Sequence, residues 1–100
     1  MRTAQQVTAF AYDKRGRLLS IGRNSYVKSH PLQARFAHAS GQPHRIYLHA
    51  EIDALIRARR RVHRLEIFRI NKQGVAGCSK PCRVCARAIK FFGVKEVRHT

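Results

Sequence analysis

Pro81-Cys82-Arg83-Val84-Cys85-Ala86-Arg87-Ala88-Ile89-Lys90-Phe91-Phe92-Gly93 is the stretch on which the fold turns. Cys85, Ala88, Ile89 and Phe92 fall at i, i+3, i+4 and i+7, the spacing of one buried helix face. Pro81 suits the first helical turn, where a missing N–H costs nothing, and Gly93 suits the stop. The pattern predicts a helix from about Pro81 to Phe92 and a strand over Val94–Thr100. Cys82 and Cys85, three apart in the first turn, share a face, so both sulfurs can reach one ion. Free N–H groups and the positive dipole end of the helix favour thiolates there.

Upstream of it, Leu65 to Ile70 reads as a strand closed by Asn71-Lys72-Gln73-Gly74. Before that, a helix spans roughly Leu48 to Val62, with Ile52, Leu55, Ile56 and Val62 as its apolar stripe. Arg57, Arg59, Arg60, Arg61 and Arg64 gather at its end, where positive charge complements the helix dipole; a solvated basic face is the plain reading of that cluster. Ser29-His30-Pro31 opens a short helix with Leu32 and Phe36 on one face, ending near Gly41-Gln42-Pro43. Val7–Tyr12 and Arg17–Arg23, joined by Asp13-Lys14-Arg15-Gly16, form a β-hairpin. Both runs carry apolar residues on both faces, which predicts a sheet covered on both sides. The order β-β-α-α-β-α-β gives an α/β fold, a mixed sheet of about four strands with helices packed on it, in a single domain over residues 1–100.

Bulk properties narrow the function. The 100 residues carry 21 Lys+Arg against five Asp+Glu, a formal net charge of +16. Such a field favours nucleic acid or a phosphorylated substrate, although a basic, soluble surface alone would give the same number. No apolar run approaches the roughly 20 residues of a membrane span. Met1-Arg2-Thr3-Ala4-Gln5-Gln6 has no apolar stretch after it and does not read as a secretory leader. A soluble, cytoplasmic protein with no membrane partner is expected. Three cysteines are too few, and odd, for a disulfide framework, so the Cys82/Cys85 spacing points to metal before a redox pair.

The second helix opens with His49-Ala50-Glu51. Zinc accepts imidazole and thiolate, and a catalytic zinc takes three protein ligands with a fourth position open. His49, Cys82 and Cys85 supply three. Glu51, two residues beyond His49, has the position of a general acid/base beside the ion. H-x-E followed about thirty residues later by P-C-x-x-C is the signature of the zinc nucleobase deaminases. The chain resembles the cytidine/deoxycytidylate deaminase superfamily, which also includes tRNA adenosine and polynucleotide cytosine deaminases. The resemblance covers nearly the whole chain: the hairpin with Asn24 after its second strand, His49-Ala50-Glu51-Ile52, Pro81-Cys82-x-x-Cys85 and Phe92-Gly93-Val94-Lys95-Glu96-Val97 occur in the family's order.

The resemblance implies a cytidine-deaminase-like three-layer sandwich with zinc on His49, Cys82 and Cys85, proton shuttling by Glu51, and substrate contacts at Asn24 and Ala50. For Asn24 a turn role after the strand stays open. The implied reaction is hydrolytic deamination of cytosine to uracil, on a (deoxy)cytidine nucleotide such as dCMP. Alternatives are a polynucleotide (single-stranded DNA, RNA or tRNA) cytosine or adenine deaminase, and a non-catalytic zinc-stabilised nucleic-acid-binding module. The last would use Cys78 as a fourth ligand; otherwise Cys78 is a small apolar loop residue. His30, His38, His63 and His99 default to surface or structural roles, while His44 could line a pocket. Phe36 and Tyr47 suit the core better than base stacking. Larger relatives continue past the last strand. The chain resembles short versions found in bacteriophages, and an uncovered sheet edge favours a homo-oligomer.

Overall fold

The computed structural model describes residues 6–25, 29–41, 48–70, 76–77 and 81–100. Strands β1 (Gln6–Tyr12) and β2 (Leu18–Arg23) form the expected hairpin, antiparallel with a register shift between Ala11 and Tyr12. Asp13 sets the turn: its Oδ1 accepts the backbone N–H groups of Arg15 (2.9 Å) and Arg17 (2.8 Å), and Gly16 takes the left-handed φ of 82°. An Asx turn with glycine at the positive-φ position is the local chemistry that closes such a loop.

Helices α1 (Pro31–Ala39), α2 (Ala50–Ala58) and α3 (Arg83–Phe91) and strands β3 (Arg64–Ile70), β4 (Ala76–Gly77) and β5 (Glu96–His99) complete the chain. The fold is α/β, with a mixed sheet whose order is β2-β1-β3-β4. On the far side of β3 from β1, two short strands share one row. β5 runs parallel along Arg64–Ile67, and β4 runs antiparallel at Arg69 and Ile70. The sheet is thus four strands wide. No described helix is long and apolar enough to cross a membrane.

Alternation along the strands defines two faces. Ala9, Ala11, Gly22, Leu65 and Ile67 turn to the helices and are buried; they join Ile52, Leu55, Phe36, Val84, Ala88 and Ile89 in one core. Residues of the opposite parity lie on the other face. Ile21, Phe68 and Ile70 are 40–45% exposed there, as is Leu18 (50%), which the register shift sets opposite Tyr12, and Phe10 and Phe68 pack edge to face at 5.7 Å. The cover expected on both faces is therefore present on one side only among the described residues. Apolar residues on both sides of a strand report what the strand tolerates, and they do not supply a second layer.

The second helix is shorter than Leu48–Val62. It stops at Ala58 because Arg59 adopts a left-handed φ of 53°, after which Val62 turns into the core. Continuing would place Arg57 and Arg61 as like charges at i, i+4. What remains is the central helix of the domain, with seven of its nine residues buried. Glu51 and Asp53 sit in its first turn and Arg57 in its last, each with the favourable sign for the dipole.

Gly22 explains how closely α2 sits on the sheet. A Cβ at this position would collide with the Ala50 carbonyl oxygen and the Ala54 nitrogen, and would come within 2.8 Å of the Ala54 Cα. These are backbone atoms that cannot rotate away. Ser20, two residues before, donates its hydroxyl to the Ala54 carbonyl at 2.6 Å. Gly22→Ala is expected to cost about 3 kcal/mol, at the upper end for overpacking, because a whole helix must shift; chemical denaturation of the variant measures this directly.

Candidate metal centre

Two helix starts meet at one place. His49 is the N-cap of α2 with extended backbone (φ −88°, ψ 154°), and its side chain makes no capping bond. Cys82 holds the same position on α3, again with an uncommitted cap, and Cys85 follows in the first turn. Side chains released from capping point away from their own helices and toward each other. His49 Nδ1 lies 3.2 Å from Cys85 Sγ and 3.5 Å from Cys82 Sγ, and all three donor atoms fall within 4.8 Å of one another.

These three residues can hold a metal ion. For a tetrahedral zinc with bonds of about 2.1 Å to nitrogen and 2.3 Å to sulfur, ligand atoms should lie about 3.6–3.8 Å apart. The observed separations come within small side-chain rotations of that, so the donor set and its geometry are compatible with zinc. Burial differs across the cluster: Cys85 is fully enclosed, while His49 and Cys82 are partly open.

The electrostatics divide the sulfurs. Hydrogen bonding from the Cys85 thiol holds Cys82 down at about 3, with help from His49 and the Cys85 backbone N–H, against the opposing effect of burial. Cys85 is pushed well above the ordinary thiol value by its bond to Cys82, by burial and by the nearby Glu51 carboxylate. Without an ion, the pair is a thiolate beside a thiol that shares its proton.

Glu51 stands beside the cluster without belonging to it. It is 6% exposed, and its carboxyl is within hydrogen-bonding reach of Cys85. Burial raises its pKa; its own backbone N–H and the charge of His49 oppose the rise only in part. A carboxyl whose pKa is raised by burial, in an enclosed site, is a stronger base than a solvated one, which suits it to take up a proton.

Neighbouring residues hold the site in place. Ser25 N–H donates to the Leu48 carbonyl at 2.9 Å, so the segment after β2 lies against the residue preceding His49. Arg23 N–H donates to Asp53 Oδ2 at 3.0 Å, while Asp53 Oδ1 pairs with Arg57 Nε at 3.0 Å. Asn24 is bonded to the edge of β1: its Oδ1 accepts from Val7 N–H at 3.0 Å, and its own N–H donates to the Val7 carbonyl at 3.3 Å. Ala50 is fully buried under Gly22 and presents no exposed surface.

Gln33 is a positioning residue that periodicity does not reveal. It is fully buried on α1, and its Oε1 accepts the His49 backbone N–H at 3.1 Å. Gln33→Leu leaves that donor without its partner. The expected result is a loss of about 1–3 kcal/mol of stability and a metal affinity about tenfold weaker, as when a supporting contact to a ligand is removed. Titration with a competing chelator reads the second effect apart from the first.

Other candidates fall into structural roles. His30 caps α1, its Nδ1 accepting Leu32 N–H at 3.0 Å. Phe36 is buried and packs edge to face on Phe91 at 5.4 Å. His38 and His99 are exposed. His44, Tyr47 and Cys78 lie outside the described residues. In sequence, the chain matches no model of a known protein family and none of the curated proteins.

Proposed function

We propose that the chain is a zinc-dependent hydrolytic deaminase, converting a cytosine base to uracil on a (deoxy)cytidine nucleotide such as dCMP, and thus a hydrolase of a cyclic amidine C–N bond. One observation carries the reading: a buried carboxyl, Glu51, within reach of a sulfur of the three-donor cluster, on the same helix turn as His49. A purely structural metal site gains nothing from an enclosed carboxyl beside its ligands.

In this reading His49, Cys82 and Cys85 hold the ion, and the two thiolates offset its charge. The ion, when bound, supplies Lewis acidity that makes hydrolysis accessible at neutral pH. Glu51 accepts a proton from the hydrolytic water and delivers it to the ring nitrogen beside the reacting carbon, then takes the second proton from the newly attached hydroxyl and delivers it to the departing amino group. Water and the amino base become the keto base and ammonia, so atoms and charge balance. Burial of Glu51 supports the first half of this cycle, because a carboxylate with a raised pKa is a stronger base toward the water.

The test is ammonia release by zinc-loaded protein from deoxycytidine, dCMP, dCTP and a cytosine-containing single strand. Release from dCMP supports the reading as stated. Release from the strand alone moves the substrate to a polynucleotide, and release from none, with one zinc bound, leaves a zinc-stabilised binding module.

The same reading takes the protein as a homo-oligomer, supported by the open sheet face around Phe10, Ile21 and Phe68. Gel filtration at micromolar concentration is expected to give a dimer or larger; a clean monomer contradicts it.

A further inference from the structure

His49 and Cys82 stand at the N-termini of α2 and α3; past the C-termini of the same helices lies a cleft of about 510 Å³. Three connections build it. Lys14 and Arg15 come from the β1–β2 turn, Arg61 and His63 from the segment between α2 and β3, and Lys95 from the segment between α3 and β5. The cleft shares no residue with the metal centre.

Backbone hydrogen bonds tie the three connections together at His63. Its N–H donates to the carbonyl of Tyr12, the last residue before the turn, at 2.8 Å. Its carbonyl accepts the N–H groups of Lys95 at 2.9 Å and Glu96 at 3.0 Å. Within the turn, Asp13 Oδ1 accepts the N–H groups of Arg15 and Arg17. The backbone positions from which the cations project are therefore fixed relative to one another. Little of the chain has to be ordered when a ligand arrives, which favours binding.

The chain has five acidic residues, and every one is engaged. Glu66 pairs with Arg64, Glu96 with Arg98 and Asp53 with Arg57; Glu51 is buried at the metal centre, and Asp13 closes its turn. Lys14, Arg15, Arg61 and Lys95 are exposed, and among the described residues no salt bridge joins them to a carboxylate. Asp13 brings one negative charge to the wall, and the C-terminal ends of the two helices bring about half a charge each. These offset about two of the four cations and leave an excess of about two. A concave surface with such an excess concentrates multivalent anions.

Size and lining narrow the ligand. The volume falls within the roughly 300–1,000 Å³ of small-molecule sites, so a single oxyanion fills only a small part of it. No phenylalanine, tyrosine or tryptophan lines the cleft, so it offers a base little to stack on. Cations reaching in from three sides of a fixed rim suit several linked phosphoryl groups, each within reach of a different side chain.

We propose that this cleft binds a condensed phosphate, a short chain of linked phosphoryl groups such as inorganic tripolyphosphate or the triphosphate of a nucleotide. Recognition is of the phosphate chain alone. The binding stands on the cleft itself and holds whether or not the metal centre carries out deamination.

Isothermal titration calorimetry of the protein with sodium tripolyphosphate is the experiment, run without metal so that chelation of zinc by the phosphate stays out of the readout. One equivalent should bind, at least about tenfold more tightly than sulfate, and the affinity should fall as salt is raised. Arg61→Ala/Lys95→Ala should weaken binding at least about tenfold. Arg61→Lys/Lys95→Arg should restore it, and Arg35→Ala/Arg87→Ala, which removes the same charge elsewhere, should leave it nearly unchanged. Equal losses in the two alanine pairs would overturn the cleft as a site, since they would reduce it to diffuse charge. ATP presents the same phosphate chain on a sugar and base and should bind comparably; ATP binding more than about tenfold tighter would overturn recognition of the phosphate alone. Cys85→Ser should bind tripolyphosphate as wild type does, and a loss there would put the anion at the metal centre and overturn the proposal.

Discussion

Glu51→Gln protein should keep its metal at wild-type stoichiometry and lose turnover by about 10³-fold, the usual scale for removing a general acid/base. The amide preserves the shape of the side chain and its place in the first turn of α2. It removes only the capacity to take and return a proton. The same variant gives a second signal in the absence of metal. Burial raises the Glu51 pKa above its ordinary 4.5, so the folded state holds the proton more tightly than the unfolded state. The charged form thus weakens the fold once pH exceeds the raised value, and the penalty fades as pH falls toward and below 4.5. Glutamine carries no such penalty. Metal-free Glu51→Gln should melt higher than wild type at neutral pH, with the gap closing in acid. A gain in stability with a loss of turnover marks a group kept for chemistry and not for packing.

Cys85→Ser should abolish metal binding, leaving less than about one-tenth of an equivalent after dialysis against zinc, since a serine hydroxyl is a poor substitute for thiolate. Cys85 is fully buried and holds its proton well above the ordinary thiol range. Metal uptake must therefore release that proton, and affinity should fall steeply as pH is lowered. At a thousandfold excess over Kd, binding adds about 4 kcal/mol to the fold, on the order of 20 °C in melting temperature for a domain of this size. Wild type should show that gap between zinc-loaded and chelator-treated samples, and Cys85→Ser should show none. A calorimetric scan of the four samples decides it.

The sequence carried the three residues that can hold a metal ion in legible form because they occupy special positions, and special positions leave local marks. Pro81 and Gly93 bracket α3, the cysteines fall at i and i+3, and His49 falls where a helix begins. The end of α2 was not legible. The apolar stripe ran on to Val62, but Val62 reaches the core from a loop after the left-handed turn at Arg59; periodicity cannot distinguish a buried helical residue from a buried loop residue. β4, with two residues, is too short to leave a pattern. Among the described residues no helix covers the face around Ile21 and Phe68, and the sequence could not tell this: alternation tells which residues share a face, and nothing about what covers it. Gln33 lies beside Leu32 on α1, where a polar residue reads as solvent-facing; its burial depends on a partner sixteen residues away. Gly22 did leave a signal, since glycine inside an apolar strand marks a close approach of backbone, and that approach sets where His49 stands.

Catalysis as proposed depends on three protein donors holding one zinc with the fourth position open beside Glu51. X-ray absorption at the zinc edge of the loaded protein counts the sulfurs directly. Two sulfur neighbours per zinc at about 2.3 Å, with metal analysis giving one zinc per chain, is the predicted result. Three sulfurs would bring Cys78 onto the ion, close the site and contradict the enzyme.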